Sequence, residues 1–317
     1  MKILVTPTSL QPERSSEALE RLSAFCDNLA FNETGKPLEE DALIDLLKDC
    51  DGYIAGLDQV TKKVLENCPN LKGISRYGAG YDRVDINAAR KLGIQVSNTP
   101  GANAQAVAEL SFALLMSLAR RIPYLHSQTA NGKWVRSTGT ELYGKTLGIL
   151  GLGAIGKRVA ACAKGFRMKI LAYDPYIQED YCREHEIISS NFNILIREAD
   201  FITLHLPLNN NTHHLINKDV IAAMKSSVII VNASRGGIVD EEAAYQALTA
   251  GKLGGLGLDA FEQEPPEASP LFTLPNVVTT PHAGAHTKEA ATALADMAVD
   301  NLICILEGKG CKYIINN

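Results

Sequence analysis

The chain lacks any CxxC pair: its seven cysteines, Cys26, Cys50, Cys68, Cys162, Cys182, Cys304 and Cys311, are scattered and odd in number. That pattern argues against a zinc ribbon or a disulfide scaffold and fits reduced thiols in a cytoplasmic protein. No stretch approaches the roughly 18 apolar residues of a membrane helix. The opening Met1-Lys2-Ile3-Leu4-Val5-Thr6-Pro7 is too short an apolar run for a signal peptide and reads as a first strand ended by proline. Polybasic runs and acidic tails are missing, and 31 basic against 36 acidic residues leave a formal charge of -5. Nucleic acid and membrane surfaces therefore have no electrostatic footprint here. Internal repeats, low-complexity tracts and flexible linkers are absent too. Paired histidines occur at His213-His214 and around His282 and His286, but adjacent histidines generally point apart and no HExxH supports them, so no metal is expected. Ser234 has no GxSxG around it, which removes the serine hydrolase reading.

What is present is an ordinary globular composition, 46% hydrophobic and 21% charged over 317 residues, long enough for two domains and a small-molecule site. Short apolar runs alternate with helical patterns, which argues for βαβ units and parallel sheets. The expected class is α/β with two Rossmann-like domains, the cofactor domain a doubly wound parallel sheet. In the first part, strands are expected at Lys2 to Thr6, Gly52 to Ala55, Leu71 to Ser75 and Gln95 to Ser97, with helices near Ser15 to Phe25, Glu39 to Lys48 and Asp85 to Leu92. A long apolar helix is expected from Ala104 to Arg121, ended by Pro123. Six further strands follow, at Thr146 to Leu150, Lys169 to Tyr173, Phe201 to Leu204, Val228 to Asn232, Gly255 to Leu258 and Val277 to Thr280, and a last helix spans Thr287 to Glu307. That helix is free to cross back, so a discontinuous first domain of residues 1–99 and 285–317 is expected around a second of residues 100–284.

The run Leu147-Gly148-Ile149-Leu150-Gly151-Leu152-Gly153-Ala154-Ile155-Gly156 is an apolar strand entering GxGxxG, followed at once by a helical pattern. Alone it is a weak signal, equally an ordinary glycine turn. A second strand ending in Tyr173-Asp174-Pro175, about 20 residues on, strengthens it, because a carboxylate there binds ribose hydroxyls. Asp174 would repel a 2′-phosphate and neither Pro175 nor Tyr176 adds a cation, so NAD is favoured over NADP.

Three motifs then place chemistry at strand ends: Asn232-Ala233-Ser234-Arg235-Gly236-Gly237, Asp259 to Pro265 with Glu264, and Thr280-Pro281-His282-Ala283-Gly284. The planar guanidinium of Arg235 matches a carboxylate, although a surface arginine in a turn is the other reading. His282 reads as an acid–base or as a structural histidine, and Glu264 as its carboxylate partner or as a solvated loop acid. Arg for a carboxylate, His for a proton and Glu to tune the His suit reversible oxidation of a 2-hydroxy acid.

With Arg76-Tyr77-Gly78-Ala79-Gly80-Tyr81-Asp82, Asn98-Thr99-Pro100-Gly101, His205-Leu206-Pro207-Leu208 and Pro281-His282 added, essentially the whole chain resembles the D-isomer-specific 2-hydroxyacid dehydrogenases. Within that family it looks most like the 3-phosphoglycerate dehydrogenase branch in a short form without a regulatory extension. The resemblance implies that Arg235 binds the substrate carboxylate and carbonyl, that His282 is the acid–base and that Glu264 supports it. It implies a cofactor lining of Gly151, Gly153, Ala154, Ile155, Gly156, Asp174, His205, Leu206, Pro207, Ala233, Ser234, Arg235, Asp259, His282, Ala283 and Gly284, with Asp259 near the nicotinamide carboxamide. Arg76 and the backbone N–H groups of Tyr77, Gly78 and Ala79 would face the substrate. Pairing of two copies through the cofactor domain is also implied, with the helix Ala104 to Leu118 and the Trp134 segment as its surfaces. Two departures bear on the substrate: Ala55-Gly56-Leu57 stands where an arginine is common in that branch, and Tyr77 where a small residue is common. A glyoxylate or hydroxypyruvate reductase therefore stays open, as does an NAD-sensing corepressor-like protein without turnover. Formate oxidation would need no Glu–His proton pair.

Overall fold

The computed structural model describes residues 1–12 and 17–316. The chain divides into two compact units, residues 1–103 with 286–317, and residues 104–285.

The first unit opens with β1 (Ile3–Val5), α1 (Glu17–Phe25), β2 (Leu29–Phe31), α2 (Glu40–Leu47), β3 (Gly52–Ala55), α3 (Lys62–Glu66), β4 (Gly73–Arg76), α4 (Ile86–Lys91) and β5 (Gln95–Ser97). Its five strands run parallel in the order β2-β1-β3-β4-β5, a doubly wound arrangement. The edge strand β2 and the five-residue α3 are absent from the sequence expectation, being too short for a periodicity to mark. Ser15 and Ser16, placed at the start of the first helix, lie outside the described residues.

The second unit contains α5 (Ala104–Ala119), α6 (Ile122–Ala130), β6 (Thr146–Leu150), α7 (Ala154–Lys164), β7 (Lys169–Tyr173), α8 (Glu179–Glu184), β8 (Ile188–Ser189), α9 (Phe192–Glu198), β9 (Phe201–Leu204), α10 (Lys218–Ala222), β10 (Ile229–Asn232), α11 (Glu241–Thr249), β11 (Gly255–Leu258) and β12 (Val277–Thr279). The long helix breaks where Arg121 adopts a left-handed backbone (φ 55°), and α6 restarts with Pro123 in its first turn, where a missing N–H costs nothing. The sheet has seven strands rather than six, in the order β12-β11-β10-β9-β6-β7-β8. The extra member, β8, is a two-residue edge strand parallel to β7. Alternate strand residues feed two cores, Leu147, Ile149, Ile229 and Val231 on the face covered by α5 and α7, and Leu150, Ile202, Ile230 and Leu256 on the other. Burial on both faces explains why these strands read as unbroken apolar runs.

The chain then returns to the first unit as α12 (Lys288–Leu306), capped by Thr287, whose hydroxyl accepts from the Ala290 N–H at 3.1 Å. It packs on β3, β4 and β5. Gly52 and Gly73 make room for it: a Cβ on them would lie 2.8 Å from Leu306 Cδ1 and 2.4 Å from Ile305 Cγ2.

Candidate active site

Every strand of the second sheet is parallel, so all carboxyl ends share one edge, and the order of strands sets the order of functional groups along it. His282 follows β12, Asp259 and Glu264 follow β11, Arg235 follows β10, His205 follows β9, the glycine turn follows β6 and Asp174 follows β7. The order in which strands are added reverses between β6 and β9, all of them staying parallel, and that switch point opens the crevice where such sheets take ligands.

At the β6 end, Gly151 has φ 96°, and a Cβ there would sit 2.5 Å from the His205 carbonyl oxygen. Only glycine tolerates both. A Cβ on Gly156 would meet Gly151 O at 2.1 Å, so the first turn of α7 lies directly on the turn it leaves. Gly153, the residue before α7, has nothing within 4 Å of an added Cβ. An open cradle therefore lies at the amino end of an 11-residue helix, where first-turn N–H groups have no intrahelical acceptor and favour a phosphate. The Asp174 carboxylate is fixed by the Leu152 N–H (2.8 Å) and the Tyr176 N–H (2.8 Å), keeping further lone pairs for ribose hydroxyls. This donor and acceptor set fits a dinucleotide.

His205 sits beneath that turn. Its Nε2 lies 2.9 Å from the Thr203 hydroxyl, while its buried Nδ1 has no partner among the described residues. Burial pushes the imidazole down to about 3, so the ring is neutral across the physiological range. Leu206, the next residue, is buried at the β9 end, and Ala233 is buried at the β10 end.

Arg235 is set by Asn232, which opens its motif but was given no role from sequence. Buried at the end of β10, Asn232 accepts at Oδ1 from the N–H (3.1 Å) and hydroxyl (2.7 Å) of Ser234, and its Nδ2 donates to the Arg235 carbonyl at 2.7 Å. This side-chain turn fixes the backbone of 232–235, and an Asn at a strand end before small residues was the available signal. Arg235 Nη1 donates to Ser234 O at 2.8 Å.

His282 has φ 49°, a sparsely populated backbone for a residue with a Cβ. It is held there by Asp259, 2% exposed, which accepts from the Ala283 N–H (2.7 Å), the Gly284 N–H (2.8 Å) and the Thr280 hydroxyl (2.6 Å). Three hydrogen bonds give Asp259 a loop-holding role that sequence alone did not reveal. Glu264 Oε1 accepts from the Phe261 N–H at 3.2 Å and lies 2.8 Å from His282 Nδ1. An ionised Glu264 can only accept, so Nδ1 carries the proton and Nε2 is left as the basic nitrogen.

The 76–79 loop of the first unit is tied by its own hydrogen bonds. Arg76 is 5% exposed, and its Nη1 donates to the carbonyls of Tyr77 and of Ala55 (3.4 Å). The Tyr77 N–H donates to Ala55 O (2.9 Å), and the Gly78 N–H to Thr99 Oγ1 (2.8 Å). Three of the four groups assigned to a substrate are thus engaged in building the loop, because a buried guanidinium and buried amides must find acceptors. The Ala79 N–H is the one without an acceptor among the described residues.

Among the described residues no group of three or more His, Cys, Asp or Glu side chains is arranged to hold a metal ion. No helix among them is long and apolar enough to cross a membrane.

A doubly wound parallel sheet with a glycine turn, an acid just after its second strand and a Glu–His pair fits a dinucleotide-dependent class of protein. Residues 112–284 match the family model described as "D-isomer specific 2-hydroxyacid dehydrogenase, NAD binding domain". The chain belongs to that family, and its second unit carries the family's NAD-binding domain. It is 42% identical over 288 residues to D-3-phosphoglycerate dehydrogenase of Methanocaldococcus jannaschii, covering 90% of this chain and 55% of that protein. It therefore spans about half the length of that relative. To glyoxylate reductase of Korarchaeum cryptofilum it is 40% identical, covering 88% of this chain and 87% of the reductase. The D-lactate dehydrogenase of Aquifex aeolicus, solved with NAD and lactic acid, superposes with a TM-score of 0.83 at 30% identity, over 97% of this chain and 96% of that one.

Proposed function

We propose that the chain is an NAD-dependent dehydrogenase that moves a hydride between C2 of a D-2-hydroxy acid and the nicotinamide ring. The observation that carries this reading is the Glu264–His282 contact of 2.8 Å, on a histidine whose unusual backbone is fixed by Asp259. Nicotinamide supplies the hydride acceptor, and the chain supplies the rest. His282 Nε2 takes the substrate hydroxyl proton while Nδ1–H stays on Glu264, so the imidazolium that forms faces a fixed anion. Arg235 receives the substrate carboxylate in two parallel hydrogen bonds and polarises the developing carbonyl. Asp174 receives the adenosine ribose and selects NAD. Holding donor and acceptor carbons in place supplies much of the rate.

The substrate reading follows the phosphoglycerate-like branch, and one observation favours the unphosphorylated alternative. Arg76 bonds the carbonyls of Ala55 and Tyr77, and Arg83 Nη1 donates to Leu57 O at 3.2 Å, so both guanidinium groups nearest the arginine-less 55–57 turn spend donors on backbone. A parallel assay decides: 3-phosphoglycerate with NAD forward, and phosphohydroxypyruvate, hydroxypyruvate and glyoxylate with NADH in reverse. Preference for the phosphorylated pair supports the first reading, and preference for a small keto acid the second. Absence of turnover with all four would defeat both.

We also infer a homodimer built on the second unit. Helix α6 has no buried residue, and Ile122 (50%) in it and Trp134 (85%) and Val135 (39%) just after it are exposed. Helix α5, by contrast, is mostly buried against α7 and the sheet, which supports the Trp134 segment over α5 as the pairing surface. A cytoplasmic location is supported by the seven free cysteines.

A further inference from the structure

The dehydrogenase reading needs Arg235 and the Glu264–His282 pair held at a fixed separation, yet they stand on loops from three different strands. The two loops after β10 and β11 touch at one peptide. A Cβ on Gly236 would lie 1.7 Å from Phe261 O and 2.6 Å from Glu262 N, so the backbone just past Arg235 lies on the Phe261–Glu262 peptide. The same peptide's neighbour, the Phe261 N–H, donates to Glu264.

Glu262 is tied on both of its sides. Its N–H donates to Glu241 Oε1 at 2.8 Å, and its Oε1 accepts from the Glu241 N–H at 3.1 Å, a reciprocal pair at the first residue of α11. The same Oε1 lies 3.1 Å from His214 Nε2. His214 is itself fixed: its φ is 48°, its N–H donates to Gly237 O at 2.7 Å, and its ring stacks on His213 at 4.0 Å. His214 Nδ1 also faces Asp240 Oδ2 at 3.9 Å. The segment after β9 is thereby joined through Glu262 to the loops that carry Arg235 and Glu264.

We propose that Glu262, gripped by His214 and Glu241, is a positioning residue that sets Glu264, and through it His282, against Arg235. The proposal rests on the dehydrogenase reading for its kinetic consequence and on geometry alone for its structural one. Because His214 and Glu262 are both partly exposed, with side-chain accessibilities of 36% and 39%, their contact adds little to stability. Its effect is on placement, where a shift of about 1 Å is expected to cost on the order of a hundredfold in rate.

The test compares Glu262→Ala, Glu262→Gln and His214→Ala in the full chain. Glu262→Ala is expected to lower kcat about tenfold or more, with NADH affinity and Tm close to the parent. Glu262→Gln keeps the Oε1 acceptor and is expected to restore most of the turnover. A second readout is the downfield Nδ1–H proton resonance of His282, assigned by its loss in His282→Gln. It is expected to broaden in Glu262→Ala and to persist in Glu262→Gln. Parent-like turnover together with an unbroadened resonance in Glu262→Ala overturns the proposal. If that variant does not fold, His214→Ala carries the decision on the same two readouts. A parent protein that reduces no 2-keto acid defeats the dehydrogenase reading, and the resonance alone then decides the clamp.

Discussion

At the scale of single residues, the two histidines on this edge are built for opposite tasks. His282 is partly exposed and shares a proton with a carboxylate, so His282→Ala is expected to lower turnover by about 10²- to 10⁴-fold with NADH binding retained, checked by steady-state rates and NADH fluorescence. His205 is kept neutral by burial. Its folded value of about 3 lies below the ordinary 6.5, so between those values the unfolded chain binds a proton that the folded ring refuses. Stability from this group is therefore complete above pH 6.5 and falls as pH drops toward 3, by up to about 1.4 kcal/mol per unit. Urea unfolding of His205→Gln across that window is expected to show a shallower acid limb than the parent. The pairing of His282 with Glu264 was legible in the sequence because both lie in segments that follow neighbouring strand-like runs. The isolation of His205 Nδ1 and the three bonds of Asp259 were not, since they depend on neighbours from other strands.

At the scale of elements, the sheet edge depends on glycines that admit backbone to backbone. Gly156→Ala places a Cβ 2.1 Å from the Gly151 carbonyl, which must push α7 off the turn. The expected result is at least a tenfold loss of NADH affinity by fluorescence titration, with the far-UV dichroism of the parent. The GxGxxG spacing showed this element without any coordinates, because strand, turn and helix are contiguous there. Strands β6, β7, β9 and β11 were likewise placed to the residue, their apolar runs being buried on both faces. Elements of two to five residues, β2, β8 and α3, left no periodic mark. The reversal at Arg121 was hidden because a left-handed arginine is a consequence of packing and not of residue type. The backbone contacts of Arg76 were hidden for a related reason, since they depend on carbonyls brought up by the fold.

At the scale of the whole molecule, the unburied α6 and the exposed Trp134 mark the surface on which two copies are expected to meet. Trp134→Ser is expected to shift the sedimenting species from dimer to monomer while leaving NADH binding intact, and an unchanged dimer would move the interface elsewhere. The discontinuous first unit has a consequence for synthesis. Residues 1–103 emerge from the ribosome long before α12, yet Gly52 and Gly73 are cut back to receive Ile305 and Leu306. The second unit, residues 104–285, is continuous and can fold as soon as it is made. Translation thus completes the units in the reverse of their order in the chain, and the apolar face of the first sheet that α12 covers stays open until α12 is made.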